Sequence, residues 1–479
     1  MKDILKGIKP IEVMKYFEKL TRIPRESGNE KAVSDFLVDF AKENKLDVIQ
    51  EPCLNVIIKK PASKGYEDHK KVILQGHIDM VCVKEDDYDF DFEKDPIPLL
   101  IDGDFIKTKG TTLGGDNGIA VAMMMAVLED ASLKHPEISA LFTVSEETGM
   151  DGVLDLNPEN VYGDILINLD SEEEGVLLAS CAGGVNSIIE LDIEKKESKN
   201  DTAYRLIVHG LKGGHSGVEI QNRRANAAVI LGRVIHMLNS TLSFDMSNIN
   251  GGDKPNAIPK NAQAIIVFDK SDTDKFNDEI NAFEFELKSE YEVSDPEIMV
   301  TFEEIDKPDF VYEDKTKESI INILSLIPNA VQTMSAGIEG LVESSSNLGV
   351  LEEKDDKIVF VNSVRSSVAS LKKDITDKIQ IISDLTGAEM TSESDYPSWP
   401  FKVESEIREL MKKEYLKMYH TELKVDAIHA GLECGFLKEK IGDIDMVSLG
   451  PDLFDVHTPK ERLSISSTQR IYEFLLKIL

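Results

Sequence analysis

Cysteine is scarce in this chain: Cys53, Cys82, Cys181 and Cys434 are scattered among 479 residues and form no Cys-x-x-Cys pair. That excludes a disulfide framework and fits a reducing compartment. Long apolar runs are absent too, and none approaches the roughly 18 residues that a membrane-spanning helix needs. The opening MKDILKGIKPIEVMKYFEKL is amphipathic and charged throughout, without the apolar core of a secretory signal. The expected compartment is therefore the cytoplasm. Positive charge is short: 54 Lys and Arg stand against 88 Asp and Glu, a formal net charge of -34. Such a surface repels phosphate backbones and anionic lipid, so neither nucleic acid nor membrane is an expected partner. The acidity serves solubility or holds carboxylates for metal, and composition does not separate the two. No low-complexity stretch occurs, and the acidic run at 85–95 reads as a solvated loop.

What is present is a globular composition, 41% hydrophobic and 30% charged, in a chain too long for one ordinary core. Helical patterns around 10–22 and 28–45 are followed by strand-like runs LNVIIKK, VILQGHIDMV, ALFTVSE and DILINLD, with a buried helix at GIAVAMMMAVLED. Short apolar strands alternating with helices predict an α/β domain with a mostly parallel sheet covered on both faces. After Cys181-Ala-Gly-Gly the pattern changes to amphipathic strands separated by helices, an inserted α+β module with two βαββ-type halves and no evident sequence repeat. The expected boundaries are 1–184 and 388–479 for the two parts of the first domain, with 185–387 inserted between them.

Five short segments carry chemistry. Gly76-His77-Ile78-Asp79 ends a strand-like run, and residues two apart on a strand face one side. A histidine that binds metal through one ring nitrogen commonly donates its other N–H to a carboxylate, which Asp79 can supply. An isolated His-x-Asp is more often structural. Gly114-Gly115-Asp116-Asn117-Gly118 opens a helix, where Asp116 either bridges two cations or caps the helix. Ser145-Glu146-Glu147 follows the strand ALFTV. Two adjacent acids at a buried strand end are costly unless neutralised, and metal allows one to ligate while the other acts as a base. Asp170 ends the strand ILINLD, where open α/β sheets place their sites. His457 lies in DVHTPKE far downstream. Singly each has an ordinary explanation as a loop or cap; together they ring one crevice with oxygen-rich ligation and one histidine per ion, which suits Zn²⁺, or Mn²⁺ or Co²⁺.

In this order the segments resemble the two-zinc metallopeptidases that include carboxypeptidase G2-like enzymes, bacterial dipeptidases and carnosinases, and within them the aminoacyl-histidine dipeptidases. LQGHIDMV, TTLGGDNGIAVA, SEETGMDG, NLDSEEEG, CAGG, GGHSGVEI, NAIP, VRSS, HAGLECG and GPDLFDVHTPKE carry the likeness from residue 74 to 461. The resemblance implies a metallopeptidase domain with an inserted lid. It assigns His77 and Asp170 to one Zn²⁺, Glu147 and His457 to a second, and Asp116 to both. Asp79 would orient His77, Glu146 would be the general base, and a cis bond would follow the bridging acid at Asp116–Asn117. In the inserted module it implies that His215 acts on the substrate carbonyl, Asn256 makes a polar contact, and Arg365 pairs with a C-terminal carboxylate. Gly431 to Glu433 would line the substrate pocket. His215 has an alternative as a turn histidine, and Arg365 as a strand-end surface charge.

The implied reaction is dipeptide hydrolysis, Xaa-His and broader, by a metal-bridged water that Glu146 deprotonates, with the ions roughly 3.5–4 Å apart. An aminoacylase or tripeptide aminopeptidase with the same two-metal core is the alternative. HAGLECG and the long insertion favour the dipeptidase. The expected partners are a small peptide and, through the insertion, a second copy of the chain.

Overall fold

The computed structural model describes residues 3–479. The chain packs into two compact units. One runs through Ser180 and resumes at Phe401–Ala427 and Leu432–Leu479; the other is Cys181–Pro400 with the short strap Ile428–Gly431. The second unit extends past 387 because Glu389–Tyr396 is its edge strand, hydrogen-bonded to Gly183–Asp192.

The first unit is built on an eight-stranded sheet. Ile138–Thr143, Val72–His77, Ile165–Asn168 and Asp445–Ser448 run parallel through its centre. Asp47–Gln50 and Val56–Lys60 continue it antiparallel on one side. Val176–Cys181 turns antiparallel on the other. The central strands VILQGH and ISALFT are buried along their whole length, as a sheet covered on both faces requires. Because these strands are parallel, their carboxyl ends share one edge, and His77, the loop after Thr143 and the loop after Asn168 all emerge there.

Gly115–Glu129 covers one face of this sheet. Its sequence AVAMMMAVL is apolar on every side and nearly every residue is buried, between the sheet and the amphipathic helix Ile11–Leu20. The first turn is broken: Asp116 and Asn117 have non-helical backbone, joined by a cis bond. Asp116 does not cap the helix, so its carboxylate is left for other work. A small sheet that sequence patterning does not reveal joins Leu100–Asp102, Phe105–Lys107, Arg462–Ser464 and Leu453–Phe454, and it carries the loop with His457.

The second unit holds a nine-stranded antiparallel sheet, eight of whose strands form two βαββαβ halves, while Ala330–Met334 adds a ninth beside Val342–Lys354. In the first, Thr202–His209, Phe244–Gly251, Ala262–Phe268 and Met299–Ile305 alternate with helices Ala227–Thr241 and Thr273–Glu290. This half is nested within the second, whose strands Gly183–Asp192, Val342–Lys354, Lys357–Ser366 and Glu389–Tyr396 go with helices Asp314–Leu326 and Ala369–Thr386. Phe244–Gly251 pairs with Val342–Lys354, so the two halves share one sheet.

Candidate active site

In the first unit the strand ends bring acids and histidines together. His77 Nε2 lies 3.1 Å from Asp116 Oδ1 and 3.4 Å from Asp170 Oδ1. The other oxygen of Asp116, Oδ2, is 3.1 Å from His457 Nε2, which also stands 3.0 Å from Glu147 Oε1. Asp116 thus faces one histidine with each oxygen. Three overlapping groups can each hold a cation: His77–Asp116–Asp170, Asp116–Glu147–His457, and His77–Glu146–Glu147, with ligand atoms within 4.8 Å of one another.

Asp79 underlies this arrangement. Its Oδ1 accepts from His77 Nδ1 at 3.2 Å, so Nε2 is the nitrogen presented to the acids. The same carboxylate accepts the backbone N–H groups of Glu146 at 3.1 Å and Glu147 at 3.2 Å, and the Ser27 hydroxyl at 2.8 Å. One buried side chain therefore fixes a histidine and the paired glutamates. Two residues that sequence patterning passes over assist it: Ser27, and Glu30, which accepts the Ser145 N–H and hydroxyl at 3.1 Å. Asn117 ties the helix start to the sheet, accepting from His77 N and donating to the carbonyl of Leu169.

The electrostatics are those of a site with too much negative charge. Burial drives Asp170 up to about 7, reinforced by the charges of Asp116 and Glu147 and opposed by His77. Burial also raises Glu146 well above the carboxylate range, with His77 opposing and Asp170, Glu433 and Glu147 adding to it. Asp116 is held low despite burial, by His457 and His77. Asp79 falls to about 2, because the hydrogen bonds from His77 and Ser27 outweigh its desolvation. His457 rises to about 11 through its bonds to Asp116 and Glu147. Asp170 Oδ1 is buried and makes no hydrogen bond among the described residues. A divalent cation in the His77–Asp116–Asp170 group, where it would occupy that oxygen, and a second in the Asp116–Glu147–His457 group would supply the missing charge, so the residues fit two ions.

Glu433 belongs to this unit and is fully buried, so it does not face an open pocket. It accepts from Gln75 Nε2 at 2.6 Å and Thr143 Oγ1 at 2.8 Å. Gln75 in turn accepts from Asn168, which accepts from Ser448. This polar chain crosses the four central strands behind the acids. Burial, with Asp170 adding, pushes Glu433 up to about 7.

The second unit gathers the other predicted residues. His215 is in the two-residue strand Gly214–His215, paired with Ala257–Ile258, and Ser216 N donates to the Asn256 carbonyl at 2.9 Å. His215 Nδ1 accepts from the N–H groups of Gly217 at 3.1 Å and Val218 at 3.2 Å. That fixes the tautomer: the proton sits on Nε2, which is a donor. Burial and the charge of Arg365 lower its pKa and keep it neutral. Asn347 holds the Asn256 turn by donating to the carbonyls of Pro255 and Ala257.

Arg365 is buried on strand Lys357–Ser366, which removes its surface-charge reading. Its Nη1 donates to Tyr396 Oη at 2.8 Å. With Asn186, Lys254, Asn256, Ser363 and Tyr396 it lines a cavity of about 350 Å³. Gly431 makes room for that tyrosine, since a Cβ there would stand 2.9 Å from Tyr396 Cε2. His429, on the same strap, shares a hydrogen bond with Ser345 Oγ at 2.7 Å and is held down to about 3 by burial and Arg365. Tyr396 carried no signal in the sequence, and His429 opens the segment HAGLECG without a role of its own there, because their partners come from distant strands.

Known proteins share this architecture. A family profile described as the peptidase dimerisation domain matches residues 206–295. Cytosol non-specific dipeptidase of Escherichia coli (strain K12) is 35% identical over 477 residues, 99% of this chain and 98% of that protein. The crystal structure of aminoacylhistidine dipeptidase from Vibrio alginolyticus matches with a TM-score of 0.95 at 36% identity, over 98% of this chain and 96% of that one. The aminopeptidase PepT from Bacillus cereus matches at a TM-score of 0.56 with 14% identity, over 98% of each chain, a likeness of fold alone.

Proposed function

The chain belongs to the M20 peptidase family of cytosol non-specific dipeptidase, and from that premise we propose that it is a cytoplasmic, metal-dependent dipeptidase acting on Xaa-His and other dipeptides. The observation that carries the reading is Asp116, whose two oxygens each face a different histidine. His77 and Asp170 would hold one ion and Glu147 and His457 another, with Asp116 shared. The oxygen-rich donor set with one imidazole each suits Zn²⁺, with Mn²⁺ or Co²⁺ as substitutes. When bound, the two ions would polarise the substrate carbonyl and lower the pKa of a water toward neutrality.

The chain's own groups do the rest. Glu146, beside the proposed ligand Glu147 and 4.0 Å from His77 Nε2, would take a proton from the attacking water and return it to the leaving amine. Asp79 holds Glu146 and Glu147 through their backbone N–H groups and keeps His77 Nε2 toward the acids. His215 donates from Nε2 to the substrate carbonyl oxygen as negative charge develops on it, a role its fixed tautomer supports. Arg365 takes the C-terminal carboxylate by its guanidinium fork, with Lys254 and Asn256 beside it in the cavity. Gly431 seats Tyr396 against Arg365. Glu433 supports the strand ends through Gln75 and Thr143. The match to a peptidase dimerisation domain supports a homodimer, which sedimentation of the purified chain would reveal.

The test is a comparison of kcat/KM for Xaa-His dipeptides, other dipeptides, tripeptides and N-acyl amino acids. Dipeptides should lead. A clear preference for N-acyl amino acids or tripeptides would replace the dipeptidase reading with the aminoacylase or tripeptide aminopeptidase one.

A further inference from the structure

The loop that carries Asp116 is gripped from both faces by two buried charges that the roles above leave unused. Glu461 is 2% exposed and accepts four consecutive backbone N–H groups. Its Oε2 takes those of Leu113 at 2.6 Å and Gly114 at 3.0 Å, and its Oε1 those of Gly115 at 2.7 Å and Asp116 at 3.4 Å. Arg25 is 3% exposed and works on the carbonyl side. Its Nη1 donates to the carbonyls of Ile78 at 3.0 Å and Asp79 at 2.9 Å, and its Nη2 to the carbonyl of Gly114. The anion meets backbone N–H dipoles of the loop, and the cation meets carbonyl dipoles of the loop at Gly114 and of the strand end at Ile78 and Asp79.

The packing around the two glycines is close. Gly114 has a φ of +68°, and a Cβ there would run into Arg25 Nη2. At Gly115 a Cβ would stand 2.7 Å from Leu453 Cδ2 and 3.1 Å from Glu461 Oε1. Both ends of the grip lead to residues of the acid–histidine cluster. Glu461 closes the loop that begins at His457, and Arg25 holds the strand end that carries His77 and Asp79.

We propose that Glu461 and Arg25 are positioning residues, a two-sided clamp that sets the Asp116 carboxylate between His77 and His457 before an ion arrives. The clamp rests on the reading of Asp116 as the shared metal ligand. It makes ion affinity depend on two side chains that touch no ion. Losing either lets residues 113–116 shift, and Asp116 then meets one histidine at the expense of the other. A merely structural role would change stability and leave the ions' affinity and coordination as they were.

The experiment uses chelator-stripped full-length protein, titrated with Zn²⁺ by calorimetry and with Co²⁺ by visible absorption, and circular dichroism to check folding. E461Q keeps the side-chain volume but turns an NH₂ toward two N–H donors, and R25K keeps the charge but loses the fork. Two ions should bind the wild type, and each variant should bind at least one of them roughly 10–100-fold more weakly, with an altered Co²⁺ band. Folded E461Q and R25K with wild-type affinities and Co²⁺ spectra would overturn the clamp. Should E461Q fail to fold, R25K carries the same two outcomes. A wild-type protein that binds neither ion would instead sink the metal reading itself, so the two failures are distinguishable.

Discussion

Asp79 uses both of its oxygens: a ring N–H, two backbone N–H groups and a hydroxyl converge on it. Among the described residues its neighbour Glu146 makes no comparable bonds and sits 4.0 Å from His77 Nε2, which suits the base proposed for it. Glu146→Gln should therefore keep both ions while kcat falls by orders of magnitude; metal analysis beside steady-state kinetics checks this, and substantial retained turnover would refute the base assignment. Arg365→Lys should raise KM for dipeptides with a free C-terminal carboxylate and leave amide-capped ones little changed, because Lys lacks the fork that matches a carboxylate. Equal effects on both substrates would speak against a carboxylate contact. His77, Asp79, Asp116, Glu146, Glu147 and Asp170 were legible because each stands in a short motif at a strand or helix boundary, and His457, in the loop between Leu453–Phe454 and Arg462–Ser464, through its conjunction with them and the resemblance. Arg25 and Glu461 were not. Their partners are backbone groups, which any residue supplies, and Glu461 meets Asp116 across 345 positions of chain.

Among secondary-structure elements, those with one-period apolar patterns were readable: the helix Gly115–Glu129 and the central strands show continuous burial that their sequences announce. The strand Val342–Lys354 was not, because its Ser344, Ser345, Ser346 and Asn347 look like a solvated loop and are all buried. Cross-strand and strap partners satisfy them: Asn362 donates to Ser346, Asn226 to Asn347, and Ser345 bonds to His429. The strap also predicts a pH dependence. His429 titrates near 3 when folded and about 6.5 when unfolded, so in that window the unfolded chain binds a proton that the folded one refuses. Its contribution is complete above about pH 6.5 and is lost as pH falls, by about 2 kcal/mol at pH 5. Wild-type melting temperature should then drop more steeply between pH 6.5 and 5 than that of His429→Asn; parallel curves would contradict this.

The whole molecule divides its tasks between the two units: an α/β unit with clustered acids, and an α+β unit with an arginine-lined cavity. The broad class and the α+β insertion were visible in the sequence as a change of pattern after Cys181. Two βαββ-type halves were expected there, but not that each carries a further helix and strand or that one is nested within the other, because their likeness lies in strand order and not in residues. A net charge of -34, with several acids packed together, means that the folded state gains from cations. Ion removal should lower the melting temperature, and Zn²⁺ should restore it in a concentration-dependent way, as any ligand of the folded state does. A melting curve indifferent to chelator and Zn²⁺ would count against the two-ion site.

The most direct test of metal-dependent dipeptide hydrolysis is the hydrolysis of β-Ala-His and a panel of other Xaa-His dipeptides by metal-stripped protein, with and without added Zn²⁺, Mn²⁺ or Co²⁺. The site built on Asp116 predicts negligible cleavage without metal and turnover that returns with up to two ions per chain. Cleavage unaffected by metal, or none with any of the three ions in folded protein, would contradict it.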